Sequence, residues 1–331
     1  MMKKYGAMVL AAMLAMVMLA GCGQPAEKAD INVTAIAGPT GVGMVDLMEK
    51  NEAGEAANNY TFNLVSDPQE AVASLSKGEA DIAAVPTNLA STLYANKMKD
   101  KVQVLAVNTL GVLYMLENGN TIDDVKDLVG KTIYTSGQGA NPEYILRYVL
   151  EKNDIDPDKD VKIEFVADND ALTAAVVTGT AQVAMVPEPK VTACRAQAKK
   201  QGKTPANIVL NMTEEWDAVA DGESKLMMGC VIARTEFIEE NPAAVKAFLK
   251  EYKASIAAVN ADVKAAATLC EKHKVIPQAA IAQQAIPNCN LVYVDGADMK
   301  TQLGGYLNVL FSYNPKSIGG AVPTDGFYYG G

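Results

Sequence analysis

Four short stretches of this chain carry groups suited to holding a small molecule by hydrogen bonds. They are Gly38-Pro39-Thr40-Gly41-Val42-Gly43, Pro86-Thr87-Asn88, Thr135-Ser136-Gly137-Gln138-Gly139-Ala140-Asn141 and Pro187-Glu188-Pro189. Glycine lets a ligand approach the backbone, and unpaired N–H groups at a helix start donate to it. The candidate contacts in the first two are Thr40, Gly41, Val42, Gly43, Thr87 and Asn88. In the last two they are Ser136, Gly137, Gln138, Gly139, Asn141 and Glu188, whose carboxylate suits an amine or a ring N–H. Asn108 joins them from a strand end, with Tyr114 near it, and Trp216, the only tryptophan, offers a face for a ring.

Each stretch also has a plain structural reading. Gly38–Gly43 serves as a strand-to-helix turn. Thr87-Asn88 serves as a helix cap. Glu188 complements the positive end of a helix, worth ~0.3–1 kcal/mol. A lone Trp216 serves as core or as an anchor between lobes.

The chemistry on offer is binding, without catalysis. Gly38–Gly43 lacks the Gly-Lys-Ser/Thr ending of a phosphate loop and the GxGxxG spacing of a dinucleotide site. Acid pairs such as Asp123-Asp124 and Glu239-Glu240 read as first-turn helix charges and solvated faces. His273 is the only histidine and there is no CxxC, so no zinc site, and no cofactor, is expected. Beyond Cys22 stand Cys194, Cys230, Cys270 and Cys289. Four cysteines allow three pairings. Cys270–Cys289, close in sequence within one helical region, is the favoured disulfide, against free buried thiols.

These loops fall at the joints of a repeat. The phrase DPQEAVASLSKGEADIAAVP from Asp67 to Pro86 returns without a gap as DNDALTAAVVTGTAQVAMVP from Asp168 to Pro187. In each copy an Asp caps a helix, an apolar face follows, a Gly ends it, a short strand runs on, and Pro opens the next helix. Outward from the repeat, strands and helices alternate, which implies parallel sheets covered on both faces. Strands are expected at 31–37, 60–66, 81–85 and 102–108, then at 131–135, 161–166 and 182–186. Helices are expected at 44–50, 68–77, 89–97, 142–153, 169–178 and 189–201, with a helical C-terminal part over 242–259, 261–273, 278–286 and 298–311. Two strand-like segments, 112–117 and 226–233, read as links into the second lobe and back. In such sheets ligands sit beyond the carboxyl ends of strands, which is where the four stretches lie.

Composition sets the outer limits. Nearly half of the residues are hydrophobic (49%), enough for a sizeable core, and the net charge of -10 argues against a nucleic-acid partner. Lys3 and Lys4 precede an apolar run from Ala7 to Ala20 that is too short to span a bilayer, which needs ~20 residues. This is the pattern of an export signal. Leu19-Ala20-Gly21-Cys22 resembles the lipobox of bacterial lipoproteins, which implies a lipid on Cys22 and a tether over 22–29.

Those features, together with KGEADIAAVP, TSGQGANPEYIL and FIEENPAAVKAFLKEY, resemble the substrate-binding proteins of bacterial ABC importers. The likeness is to the type II periplasmic-binding-protein group of sulfonate, taurine, nitrate and thiamine-precursor binders. It implies an α/β fold of two lobes joined by two hinge crossovers, each lobe a mostly parallel sheet flanked by helices. The expected divisions are a leader at 1–21, the tether at 22–29, one lobe from 30–111 with 226–331, and the other from 112–225. It implies a monomer, lipid-anchored outside the cell membrane, whose closed form docks on a permease coupled to an ATPase. The loops contain no Lys or Arg. Gln138, Asn141, Asn88 and Glu188 therefore suit a thiamine-precursor-like heterocycle first and an alkanesulfonate- or nitrate-type anion second. A solute sensor and a pyrimidine-synthase-like enzyme are the remaining readings, the latter disfavoured by export and by the absence of clustered cysteines.

Overall fold

The computed structural model describes residues 28–99, 101–220, 222 and 224–330. The leader, Cys22 and the tether as far as residue 27 lie outside the described residues. The strands are β1 (Asp30–Ile36), β2 (Asn59–Val65), β3 (Ile82–Pro86), β4 (Val102–Thr109), β5 (Leu113–Glu117), β6 (Thr132–Thr135), β7 (Lys162–Phe165), β8 (Val183–Pro187), β9 (Asn207–Asn211), β10 (Gly229–Arg234) and β11 (Leu291–Val294). The α-helices of the first half are α1 (Pro39–Val42), α2 (Val45–Glu52), α3 (Pro68–Ser76), α4 (Thr87–Thr92), α5 (Asn141–Lys152) and α6 (Asn169–Thr178). Those that follow are α7 (Lys190–Lys200), α8 (Met212–Val219), α9 (Thr235–Glu240), α10 (Pro242–Ala261), α11 (Val263–Lys272), α12 (Ala279–Ala285) and α13 (Gly296–Tyr313).

Local chemistry at the repeat behaves as its residue types demand. Asp67 accepts a hydrogen bond from Gln69 N at 2.8 Å, and Asp168 accepts from Asp170 N and Ala171 N at 2.9 and 2.8 Å. Gly78 and Gly179 end their helices with φ of 75° and 84°, the left-handed region where a Cβ is strained.

The strands form two sheets, ordered β11-β4-β10-β3-β1-β2 and β7-β6-β8-β5-β9. In the first, β1 pairs in parallel with β2 and β3; in the second, β6 pairs in parallel with β7 and β8. The two links prove to be central strands. β10, returning from the second lobe, lies antiparallel between β3 and β4, and β5, leaving the first, lies antiparallel between β8 and β9. The second sheet is thus drawn from one continuous stretch, 113–211, whereas the first is completed only by β10 and β11, which follow it in the chain.

Alternation along each strand feeds two faces. Ile82 and Ala84 join the core under α2, α10 and α11, with Met48, Phe248 and Cys270. Ala83 and Val85 join a cluster that continues through Leu113, Met115 and Ile133 of the second lobe to Trp216 and Tyr306. A third cluster, with Leu172 and Val191, lies beneath α6 and α7. The C-terminal helix α13 bridges the lobes. Its Tyr306 meets Trp216 edge-on at 5.5 Å, and its Tyr313 stacks on Tyr144 of α5 at 6.2 Å. Among the described residues, no helix is long and apolar enough to cross a membrane.

One expected bond is not made. Cys194, Cys230, Cys270 and Cys289 are all buried free thiols, so the Cys270–Cys289 disulfide is absent. Cys270 belongs to α11 and Cys289 follows a 3-10 turn, Ile286–Asn288, each sulfur filling apolar space as a small hydrophobe.

Candidate functional site

The point where the lobes meet is built from helix starts. Pro86 ends β3 and leads directly into α4, placing Asn88 in its first turn. Gly137 and Gly139, with φ of 78° and 71°, turn the chain from β6 into α5, which opens on Asn141. Asn141 Nδ2 donates to Asn88 Oδ1 at 3.2 Å, joining one lobe to the other. Asn141 is buried, and its Oδ1 has no hydrogen-bond partner among the described residues. An unpaired buried acceptor costs about 1–3 kcal/mol.

A second bridge lies at the start of α7. Glu188 is 2% exposed; its carboxylate accepts from Thr192 N at 3.2 Å, Thr192 Oγ1 at 3.0 Å and Asn288 Nδ2 at 3.2 Å. Tyr114 OH donates to the Asn288 carbonyl at 2.8 Å. Burial raises the Glu188 carboxyl above its usual range, and the bonds from Asn288 and Thr192 oppose that rise. Burial also pushes the Tyr114 phenol up, aided by the Glu188 charge. Asn288 escapes sequence reading because nothing marks it as polar bait within a helical, apolar neighbourhood.

Around these bridges the other expected contacts serve different ends. Asn108 is buried; its Nδ2 donates to the Thr40 carbonyl at 3.2 Å and to Tyr252 OH at 2.9 Å, while Oδ1 accepts from Thr109 Oγ1 at 3.0 Å. It therefore pins the β1–α1 turn to β4. Gly229 leaves room for this, since a Cβ there would lie 2.6 Å from Asn108 Oδ1 and 2.7 Å from Thr40 Cγ2. Gly41 and Gly43 face the lobe's own core: a Cβ would meet the Ile36 carbonyl at 2.6 Å in one and Ile256 Cγ1 at 2.8 Å in the other. Val42 is buried in the same core. Thr87 Oγ1 donates to the Met227 carbonyl at 2.6 Å, fastening the return link that leads to β10.

In the second lobe Ser136 Oγ donates to Asn169 Oδ1 at 2.7 Å, tying the β6 loop to the start of α6. Gln138 and Gly139 are exposed, and Gly139 N donates to Glu143 Oε2 at 2.7 Å. Trp216 lies in the helix α8 and is fully buried. Its ring centroid is 4.3 Å from that of Tyr148, and Nε1 donates to Ser224 Oγ at 3.0 Å. It packs between Tyr148 of its own lobe and Tyr306 of α13, the anchor reading that sequence sets beside ring stacking on a ligand. Tyr306 OH, across from it, is buried without a hydrogen-bond partner among the described residues.

His273 stands apart from all of these loops. Its ring faces Glu49 and Glu52 of α2, in the first lobe.

Two parallel-core sheets, each with a crossover strand at its centre, and helix starts meeting across the gap define a two-lobed α/β protein of the periplasmic-binding-protein fold. The family model described as NMT1/THI5 like matches residues 61–266, from β2 into α11, and the chain belongs to that family. No curated protein sequence matches it. Among solved structures, an ABC transporter protein from Parabacteroides distasonis superposes with a TM-score of 0.76 at 22% identity, covering 91% of this chain and 99% of that one. The periplasmic aliphatic sulphonate binding protein SsuA from Escherichia coli gives 0.69 at 13% identity, covering 92% of each chain. The periplasmic nitrate-binding protein NrtA from Synechocystis PCC 6803 gives 0.53 at 16% identity, covering 78% of this chain and 69% of that one.

Proposed function

We propose that this protein captures a small organic solute between its lobes, outside the cytoplasmic membrane, and delivers it to an ABC permease coupled to an ATPase. Cys22 would carry the lipid that keeps it at the membrane. The observation that carries this reading is the unpaired Asn141 Oδ1, buried where the two lobes touch. An acceptor held ready at a closing seam calls for a solute with an N–H or O–H donor. That favours a thiamine-precursor-like heterocycle bearing an amine. Membership of the NMT1/THI5-like family supports it.

An alkanesulfonate- or nitrate-type anion is the second reading, favoured by the likeness to SsuA and NrtA. The local electrostatics favour it less. Gly139 N, a natural anion donor, is already taken by Glu143, and Arg147 is paired with Glu143 and Asp158. Sensing for a membrane kinase would use the same capture step.

A thermal-shift panel of aminopyrimidines, alkanesulfonates, nitrate and amino acids tests the reading. An aminopyrimidine should raise the melting temperature, and Asn141→Ala should weaken its calorimetric affinity about tenfold, the worth of one hydrogen bond. A response to sulfonates or nitrate alone would select the anion reading. No response to any of them would remove the support for capture.

A further inference from the structure

We propose that Glu49, Glu52 and His273 form a divalent-metal site of the zinc type on the surface of the first lobe, apart from the seam between the lobes.

The sequence places both carboxylates on one side of α2, since residues three apart are neighbours on a helix surface. His273, at the end of α11, brings its ring against them. Its Nε2 is 3.3 Å from Glu49 Oε2 and its Nδ1 is 3.6 Å from Glu52 Oε1. One donor atom from each of the three residues can be chosen so that all lie within 4.8 Å of one another. Zinc bonds to His nitrogen and carboxylate oxygen are ~2.0–2.2 Å, so tetrahedral ligands stand roughly 3.3–3.5 Å apart. The two contacts run to different ring nitrogens and only one nitrogen faces a given ion, so the three donor atoms, within 4.8 Å of one another, must draw in by about an ångström to reach that spacing.

The place a cation would take is already used by one. Lys272 Nζ contacts Glu49 Oε2 and lies 2.8 Å from Glu52 Oε2. The two carboxylates are therefore organised around positive charge. A divalent ion sets twice that charge against them and adds a bond to an imidazole nitrogen. The second ring nitrogen can then hydrogen-bond a carboxylate oxygen, the arrangement that orients most metal-bound histidines. Lys272 is long and 45% exposed, so it can swing away into water. His273 is only 9% exposed and stays where it is. A depression between Met48, Tyr60, Phe62, Leu64 and His273 opens beside the cluster. It gives water access to the fourth position that three protein ligands leave open. Bound there, the ion would clamp α2 to α11.

Titration calorimetry of Zn2+ into the EDTA-treated, dialysed protein tests this. One ion should bind per chain. His273→Ala and Glu49→Gln should each weaken binding tenfold or more, and Lys272→Gln should tighten it several-fold by removing the competing ammonium. Melting curves without metal show that each variant is folded. Absence of binding, binding unchanged in His273→Ala and Glu49→Gln, or an affinity unmoved by Lys272→Gln would each overturn the site.

Discussion

Asn288 of the first lobe donates to Glu188 of the second at 3.2 Å, and the carboxylate that receives it is almost wholly buried. Burial raises the Glu188 carboxyl above 4.5. The folded protein then holds this proton more tightly than the unfolded chain does. The stability it contributes is complete below pH 4.5 and declines as pH rises through the folded-state value. Glu188→Gln should flatten that decline. Melting temperatures of both proteins from pH 4 upward check it; parallel curves would show that this carboxyl does not set the trend.

The glycines of the β1–α1 and β6–α5 turns differ in what they do for the fold. Gly41→Ala drives a Cβ to within 2.6 Å of the Ile36 carbonyl, and overpacking of this kind costs about 1–3 kcal/mol. Gly139 has open space but a φ of 71°, so Gly139→Ala costs about 1–2 kcal/mol through backbone strain alone. Asparagine tolerates the left-handed region. Gly139→Asn should therefore recover much of the loss in urea unfolding, whereas Gly41→Asn should be worse than Gly41→Ala.

The four thiols should be silent in the native protein. Burial pushes Cys194 up to about 11 and Cys270 up to about 12, which removes the reactive thiolate at neutral pH. A thiol reagent should label none of Cys194, Cys230, Cys270 and Cys289 until denaturant is added, and then all four. Non-reducing digestion followed by mass spectrometry should find no peptide joining Cys270 to Cys289.

Tyr306, beside Trp216, buries a hydroxyl with no partner among the described residues. Removing an unsatisfied buried group relieves its desolvation cost of about 1–3 kcal/mol. Tyr306→Phe should be at least as stable as the parent in urea unfolding followed by Trp216 fluorescence. A clear loss of stability would mean that the hydroxyl is hydrogen-bonded in solution.

Much of the architecture is legible in the chain because it is locally determined. Asp67 and Asp168 cap helices by side-chain chemistry that needs no distant partner, and Gly78 and Gly179 end them for the same reason. β9 and β11 are not legible: Asn207–Asn211 and Leu291–Val294 are strands because β5 and β4 offer them an edge. The same division runs through the site. The turns carrying Asn88, Asn141 and Glu188 announce themselves by Gly, Pro and polar residues at strand ends. Asn288, Tyr144 and Tyr313 matter through long-range contact, which no local pattern encodes. Gly41 and Gly43 mislead because a glycine kept for crowding reads like one kept for a ligand.

The placement of β5 and β10 has a consequence for how this molecule comes into being. The first sheet has no strand between β3 and β4 until late in synthesis, so a ribosome that has reached only β4 has produced an object with a vacancy at its centre. That vacancy is filled by residues 229–234, which emerge after the entire second sheet. The first lobe therefore cannot mature until the second has been made, whereas the second draws all its strands from the unbroken stretch 113–211.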